Sequence, residues 1–441
     1  MKPKQPILNP QRELFRVELV NIIDTGHPLV VLGGKINWAI FEEQLGATYN
    51  QAVGAPGINT RLMVALHYLK YQYNLSDETV VARWVENPYW QHFSGRQYFE
   101  HELSIDPSSM TRWRKRLGEA GAEAMLKATI DTGVQMKAIS TAHVAHINID
   151  TTVQTKAIRY PTDARLYQRA CERLVIRARK DGLSIKQSFG RVGRLLVMKA
   201  SRYAHARQMC RSRACTRKLR TNLGRVIREI ERQDVASRPQ LSRLLAVCRK
   251  IHLQKRTDSV KIYSVHEPET MCIAKGKARV KYEFGQKASL AVTSKGGWIL
   301  GARSMPGNPY DGHTLAPQIE QIGRIYTQVV TKQTAHVDMG YRGHGYAGTM
   351  HVIVDKRRKG ETPKRVWKWM KRRAAVEPTI GHLKTDHRLE RNQLRGLIGD
   401  SINAILSAAA MNFSKLLSFV LSLFLALFEL LIPPCEQESA A

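Results

Sequence analysis

Two aspartates stand at the ends of predicted strands in a chain where acidic residues are the minority. Asp150 ends the alternating segment VAHINID, and Asp338 ends TAHVD before a glycine-containing loop. Ligands of open α/β sheets bind outside the carboxyl ends of strands, so both carboxylates lie where chemistry is expected. A single aspartate at a strand end is more often a turn former or a helix cap. Position alone therefore makes the pair a candidate site and leaves the turn interpretation open.

A third acidic candidate lies in the segment KRRAAVEPTIGHLKTDHR at 371–388. Arg373, Glu377 and Lys384 follow one another at spacings of four and seven residues, which predicts one face of a helix. Such a row could meet a metal ion and a phosphate together. A surface row of ion pairs explains the spacing equally well. Pro378 adds a kink or a new helix start to the prediction.

The charge balance predicts a polyanionic partner. The 441 residues carry a formal net charge of +32, with 69 Lys and Arg against 37 Asp and Glu. Such a surplus repels itself on folding unless a polyanion or its counterions compensate it. Nucleic acid is the leading partner, because phosphates met by Lys or Arg release condensed counterions. A solubility device and a ribosome-like RNA binder are the alternatives.

The cysteines and the chain ends indicate a reducing cytoplasm. None of the six cysteines forms a C-x-x-C pair, so neither a disulfide framework nor structural zinc is expected. The N-terminus has no apolar segment typical of a secretory signal. The apolar run at 416–432 is slightly short for a membrane span and contains Glu429. It predicts a buried terminal helix in preference to a membrane anchor.

Alternating and helical segments indicate an α/β protein. Strands are predicted at 144–150, 280–293, 298–304, 334–338 and 351–355, and helices at 312–329 and after 365. Strands mixed with helices in this order favour a central mixed sheet. Residues 1–140, in contrast, have helical patterns only, with Ser76 as a predicted helix cap.

A short basic helix is predicted within these first 140 residues. Asp106 and Pro107 are helix-start signals, and Gly118 can end the helix. The helix could enter a DNA groove or lie along phosphates, and a solvated basic helix of a structural bundle explains it equally well. The residues expected to contact DNA are Arg112, Arg114, Lys115 and Arg116.

The segment after the first strand is the most basic part of the chain. Residues 156–256 contain 28 Lys or Arg and 6 Asp or Glu, a net of +22. Charge concentrated in one helical insertion favours a DNA-facing surface over a solvated charge run. Apolar residues from Leu219 to Ile230 recur at helical spacing and mark a buried face. The basic residues beside them, expected to contact DNA, are Arg217, Lys218, Arg220, Arg225 and Arg228.

These motifs together resemble those of the bacterial insertion-sequence DDE transposases, in particular the insertion-sequence-five family. INIDTT around Asp150 is similar to the first-aspartate motif, and HVDMGYRGHG around Asp338 to the second. SMPGNPYDGHTL at 304–315 resembles the segment between the hairpin and the next strand. Arg373, Glu377 and Lys384 match the final signature of Tyr, two residues, Arg, three residues, Glu, six residues and Lys. Met370 stands at the tyrosine position.

The resemblance implies a ribonuclease-H-like catalytic domain and a chain of three parts. Residues 1–140 would form a helical DNA-binding domain, and 141–420 the catalytic domain with the basic helical insertion at about 156–275. Residues 421–441 would form an apolar tail. The protein would act in the cytoplasm, at the nucleoid, on double-stranded DNA as a homodimer or higher oligomer.

The resemblance also implies the roles of the site residues. Asp150, Asp338 and Glu377 would be catalytic and would hold two Mg²⁺ ions, for which Mn²⁺ can substitute, with Asp150 bridging. Mg²⁺ prefers oxygen ligands, so few carboxylates and a substrate phosphate suffice. Arg373 and Lys384 would bind phosphate. Asp311 and His313 are second-tier candidates for orientation, and Asp311 has an equal claim to a turn role.

The sequence leaves three functions open. The first is an active transposase that cleaves the ends of its own element and transfers the 3′-OH ends to target DNA. The second is a catalytically silent DNA-binding remnant or repressor of the element. The third is a stand-alone nuclease that cuts without joining, and the resemblance makes it the least favoured.

Overall fold

The computed structural model describes residues 16–46, 57–102, 105–274, 281–330, 332–355 and 364–431. Parts of the predicted domains lie outside these ranges, namely the first fifteen residues, position 275 at the expected end of the insertion, and 432–441 of the expected tail. The chain divides into two compact units. One contains 1–154, 287–305 and 309–441, and the other contains 155–286 and 306–308.

The N-terminal helices of the first unit begin where side chains cap them. Asn59 accepts a hydrogen bond from the Leu62 amide at 3.1 Å, and Ser76, the predicted cap, accepts one from Thr79 at 3.1 Å. Such caps satisfy amides that have no partner within the helix. The helices are α1 (Pro28–Lys35), α2 (Ala39–Gly46), α3 (Thr60–Gln72), α4 (Asp77–Glu86), α5 (Pro88–Phe93), α6 (Ser108–Gln135) and α7 (Thr141–Val144).

The sheet is mixed, as the order of strands and helices predicts. Its strands are β1 (His146–Lys156), β2 (Met271–Ile273), β3 (Glu283–Thr293), β4 (Ile299–Met305), β5 (Thr334–Val337), β6 (His351–Val354) and β7 (Arg391–Asn392). They follow the order β2-β3-β1-β5-β6, while β4 pairs with β3 and β7 with β1. The pairs β1–β5 and β5–β6 are parallel, and β2–β3 and β3–β4 are antiparallel.

The remaining helices of the first unit are α12 (Leu315–Ile325), α13 (Lys364–Arg373), α14 (Val376–Thr385) and α15 (Gly396–Leu431). In the second unit they are α8 (Asp163–Lys180), α9 (Gly190–His205), α10 (Met209–Glu231) and α11 (Pro239–Leu253), which confirms a helical insertion after the first strand. Each unit has its own apolar core. The core of the first unit includes residues from α1–α6 as well as from the sheet.

Helix α15 belongs to the core of the first unit for half of its length. It packs against α1, α3, α6 and β4, and Asn412 fixes it to β4 by hydrogen bonds of 2.9 Å to both the amide and the carbonyl of Ile299. Side chains are buried as far as Val420, whereas Leu421 and Leu425 are about half exposed. The predicted burial of 416–432 is therefore correct at Leu416 and Val420 and wrong for residues 421–426, which are exposed. By length and composition alone, residues 396–426 could also cross a membrane.

A buried charge cluster joins α3, α4 and α6. Asp77 lies 2.6 Å from the Lys70 ammonium and accepts two hydrogen bonds from the Arg114 guanidinium, one of 2.8 Å. Burial alone would raise the pKa of Asp77, but the hydrogen bonds and charges of Arg114 and Lys70 hold it well below its usual range. The cluster therefore folds with its carboxylate ionised.

We expect Asp77→Asn to lower the free energy of unfolding by about 3 kcal/mol at neutral pH, because it leaves two cations buried without their carboxylate. Urea unfolding measures the loss. Since folding lowers the pKa of Asp77, its stabilisation is present above the unfolded-state value near 4 and is lost as the pH falls below it. The difference in the free energy of unfolding between variant and wild type should therefore become smaller in acid.

The matched control is Asp106→Asn, which replaces an exposed carboxylate at the start of α6 by another side chain that can cap a helix and should leave stability nearly unchanged. Equal losses in the two variants would show that the buried cluster does not stabilise the fold.

Candidate active site

The register of three parallel strands aligns three aspartates. His146 pairs with Thr334, and Asn148 pairs with His336, so Asp150 is in register with Asp338. Val337 pairs with Val354, so Asp355 follows in the same row. Neighbouring strands lie about 5 Å apart, and residues in register on parallel strands point to the same face of the sheet. The backbone positions of the three aspartates thus form one row across these strands.

The strand-end prediction is correct for Asp338 and wrong for Asp150. Asp338 follows the last residue of β5, whereas β1 continues from Asp150 to Lys156. The polar residues after Asp150 in the sequence hid this continuation, because Thr151, Thr152 and Gln154 are buried rather than solvated. Asp150 still lies just beyond the part of β1 that pairs with β5, which ends at Asn148.

Both predicted aspartates are fixed by backbone amides. Asp150 accepts a hydrogen bond from the Thr151 amide at 2.7 Å. Asp338 accepts one from the Gly340 amide at 2.9 Å, and thereby caps the 3₁₀ turn Met339–Tyr341. Asp338 is therefore a helix cap, as its strand-end position also allowed. It lies in register with Asp150 as well.

Asp311 joins this group through its own contacts. Its Oδ1 accepts hydrogen bonds of 2.9 Å from the Thr151 hydroxyl and from the Lys287 ammonium, and Lys287 also donates to the Pro309 carbonyl at 2.6 Å. Asp311 begins a 3₁₀ turn at the same time. Asp311 therefore begins a turn and also lies beside the candidate site. His313 is exposed, and its ring contacts Tyr310 instead.

Gly340 leaves the space in which two carboxylates approach each other. A Cβ at this position would lie 2.9 Å from Oδ1 of Asp338 and 3.2 Å from Oδ2 of Asp311. Oxygen ligands converging on a space of this kind suit Mg²⁺, which takes carboxylates and keeps several waters. Asp338 and Asp311 therefore offer, beside Gly340, oxygen ligands of the kind that a divalent cation takes.

Tyr341 lies fully buried next to these carboxylates. Burial raises the pKa of its hydroxyl well above the ordinary value, and the negative charges of Asp150, Asp311 and Asp338 add to this effect. The phenol consequently stays protonated. A neutral ring at this place adds no further negative charge to the aspartates.

Arg373 lies inside the protein with two carboxylates around it. Its Nη1 is 3.9 Å from Oδ2 of Asp150, and its Nε donates to Oδ2 of Asp355 at 3.5 Å. Only 9% of Arg373 and 5% of Asp355 are exposed, so the guanidinium compensates buried negative charge. The sequence did not single out Asp355, although it ends HVIVD by the same strand-end pattern as Asp338.

The prediction that Arg373, Glu377 and Lys384 share one helical face is wrong. The chain leaves the helical conformation at Ala374 and a new helix begins at Val376, so Arg373 belongs to α13 and the other two to α14. Pro378 causes this break, since proline is accepted only in the first turn of a helix. Met370, at the tyrosine position of the signature, is buried.

Glu377 is exposed in the first turn of α14. Across the part of the chain that the structure describes, no three His, Cys, Asp or Glu side chains lie close enough to hold one metal ion. The structure thus brings Asp150, Asp338 and Asp311 into one neighbourhood, without Glu377 completing a metal-binding group.

The predicted DNA-contacting residues of α6 divide into two kinds. Arg112, Lys115 and Arg116 are exposed. Arg114 is buried and paired with Asp77, so its assignment to a DNA-contacting surface is a wrong prediction. Sequence could not distinguish them because adjacent residues of a helix point to different sides. As predicted, Gly118 ends the first helical segment of α6, with a φ of 61° that glycine adopts without strain, and a second segment continues beyond the kink to Gln135.

The basic residues predicted to contact DNA from the insertion lie on its surface, whereas Lys156 is buried against Glu267 at 2.9 Å. Its predicted apolar face, from Leu219 to Ile230, is buried in the core of the second unit. The expected DNA-contacting residues of α10 are all exposed, namely Arg217, Lys218, Arg220, Arg225 and Arg228.

Comparison with known proteins identifies the family. The description "Transposase DDE domain" matches residues 258–413, and "Transposase domain (DUF772)" matches residues 17–116. The uncharacterised protein ORF8 in the nfe locus of Rhizobium meliloti is 49% identical over 208 residues, which are 47% of this chain and 100% of that protein. The chain belongs to the DDE transposases. It is therefore a DNA-cleaving enzyme of a family that uses divalent metal ions.

A solved structure was also found. The cryo-EM structure of a piggyBac transposase synaptic complex with hairpin DNA aligns with 96% of this transposase and 85% of that chain, at 8% identity and a TM-score of 0.28. A score of this size is too low to establish a common fold.

Gly340→Ala should weaken divalent-metal binding by roughly ten-fold or more, the usual cost of disturbing groups that orient metal ligands. The added methyl group would displace the carboxylates of Asp338 and Asp311. The dependence of thermal unfolding on Mg²⁺ or Mn²⁺ concentration measures the change. Gly323→Ala in α12 is the control, since a Cβ there meets nothing within 4 Å. Identical metal dependence in both variants would remove Gly340 from the site.

Proposed function

We propose that this transposase binds the terminal inverted repeats of its own insertion sequence, hydrolyses DNA there and transfers the freed 3′-OH ends to target DNA. The alignment of Asp150 with Asp338 across β1 and β5 carries this proposal. In this alignment two aspartates that match the family signature would act together, one just beyond the part of β1 that pairs with β5 and one directly after β5.

Asp150, Asp338 and Glu377 would hold two Mg²⁺ ions or Mn²⁺ in their place, with Asp150 shared. When bound, such ions activate the attacking oxygen and stabilise the leaving oxygen of an in-line displacement. Glu377 would join the aspartates when metal and DNA are present, since α14 carries it on the surface.

The chain's own residues would do the positioning. Thr151 and Lys287 hold Asp311, and the Gly340 amide holds Asp338. Arg373 compensates Asp150 and Asp355, and would offer its guanidinium to a scissile phosphate when metal ions neutralise those carboxylates. Lys384, seven residues after Glu377, would bind phosphate near the cleaved strand.

The further parts of the proposal concern architecture and partners. The sheet would be the centre of a ribonuclease-H-like domain, and the helices before residue 140 would contact DNA through Arg112, Lys115 and Arg116. The insertion would bind double-stranded DNA, and the protein would act as a homodimer or higher oligomer in the cytoplasm. The exposed basic residues of α6 and α10 support the proposed contacts with DNA.

Asp150→Asn should reduce nicking and strand transfer of end-containing DNA by at least about a thousand-fold, because it removes the carboxylate proposed to bridge two metal ions. Binding of the ends should change little. Glu320→Gln, which neutralises an exposed carboxylate of α12, is the control. Wild-type end binding without nicking at any divalent-metal concentration would instead favour the silent remnant. Cut ends that never join a target plasmid would favour the stand-alone nuclease.

Replacing Arg217, Lys218 and Arg225 by Gln should reduce the salt dependence of DNA binding, since each lost phosphate contact lowers the slope of log K against log salt by about 0.9. Binding measured from low to moderate salt gives the slope. The charge-retaining control exchanges the same positions between Arg and Lys and should keep it. A wild-type slope in the Gln variant would show that this face of α10 does not contact DNA.

A further inference from the structure

The insertion contains a cavity whose walls combine aromatic rings with arginines. Its volume is about 590 Å³, which lies in the range of cavities that take small organic ligands. A DNA duplex is too wide to enter it, whereas a single nucleotide is not. The residues that give it its chemistry are Arg159, Tyr160, Arg165, Arg169, Arg194 and Tyr263.

The aromatic wall is held in place by Phe284. Tyr160 meets the Phe284 ring nearly at a right angle with centroids 5.4 Å apart, and Tyr263 lies 5.3 Å from it on a tilted contact. Tyr160 is nevertheless 61% exposed. A large ring that is supported by an edge contact and stays exposed offers a surface on which a base can stack.

The arginines of the opposite wall are positioned by polar contacts. Glu172 pairs with Arg194 at 3.2 Å and with Arg169 at 3.5 Å, and Arg165 donates to the Tyr160 carbonyl at 3.4 Å. With four arginines and this one carboxylate the lining keeps a net positive charge. Phosphates beside a stacked base would meet guanidinium groups here.

A second cavity, of about 580 Å³, continues from the first. Arg165 and Val197 line both of them. The second cavity adds Arg213, Arg217 and Arg220, together with hydroxyl groups such as Thr216. Tyr167 and apolar side chains such as Met209 also line it. A short strand with its first base stacked on Tyr160 would have its backbone led past arginines in both cavities.

We propose that these cavities bind unpaired nucleotides of DNA, with the base on Tyr160 and the phosphates on Arg165 and its neighbours. The inference rests on the proposal that the insertion binds DNA. It adds that the cavities bind a single-stranded segment and not a duplex. Unpairing a base within a duplex is unfavourable, so the natural ligand would be a DNA segment that is already frayed or distorted.

The test is equilibrium binding by the full chain, with Ca²⁺ in place of Mg²⁺. The probes are a short single strand, an abasic strand of equal length and a duplex of equal length, each with a fluorescent label. Tyr160→Ala should weaken binding of the single strand about ten-fold, as expected for the loss of one base-stacking contact, and should leave the abasic strand and the duplex unchanged. Tyr160→Phe should bind like wild type, because stacking requires only the ring.

Two further measurements make the outcome specific. The fluorescence of 2-aminopurine in the single strand should be quenched by wild type and by Tyr160→Phe, and not by Tyr160→Ala. Tyr203→Ala, which removes a ring that contacts Arg211 and lines neither cavity, should leave both readouts unchanged. Equal affinity for the normal and abasic strands, or unaltered quenching in Tyr160→Ala, would overturn the inference. Neither result depends on cleavage, so a failure of the proposed catalysis would not produce it.

Discussion

The parallel pairing of β1, β5 and β6 is the constraint on which the candidate site depends. Because the strands are in register, Asp150, Asp338 and Asp355 fall in one row. Neighbouring strands lie about 5 Å apart, and like charges at that separation repel unless cations lie close to them. The sheet that creates the site therefore also creates a need for positive charge at the same place.

In the described structure, basic side chains meet that need. Arg373 lies between Asp150 and Asp355, and Lys287 is bonded to Asp311. A divalent cation bound by Asp150 and Asp338 would supply the charge that Arg373 now supplies to Asp150. In the proposed function, metal ions would replace Arg373 as the charge partner of Asp150, which would make its buried position compatible with phosphate binding.

Much of the fold could be predicted from local patterns, because capping residues and alternating segments report local structure. Ser76 caps a helix as expected, and the strands at 334–338 and 351–355 end within one residue of their predicted bounds. The extent of β1 could not be predicted, since Thr and Gln after Asp150 are polar and yet buried. Nothing local marks residues like these as belonging to a sheet covered on both faces.

Some residues of the candidate site could likewise be predicted from the sequence, and others could not. Asp150 and Asp338 could be found from strand ends and motifs, and Asp355 could have been found by the same pattern. Lys287 could not, because its partner Asp311 lies 24 residues further along the chain and only the fold brings them together. The spacing of Arg373 and Glu377 was misleading, since a helical face requires one continuous helix and the chain breaks at Ala374.

The large positive charge of the chain is divided between two physical roles. In the first unit, cations such as Lys70, Arg114 and Arg373 are buried against carboxylates, where they stabilise the folded chain. In the second unit, the arginines of α10 are exposed around an independent apolar core. Since residues 156–256 hold +22 of the total +32, the unpaired surplus lies mainly on the insertion. An exposed surplus on a module with its own core can attract a polyanion without disturbing the charge balance around the aspartates.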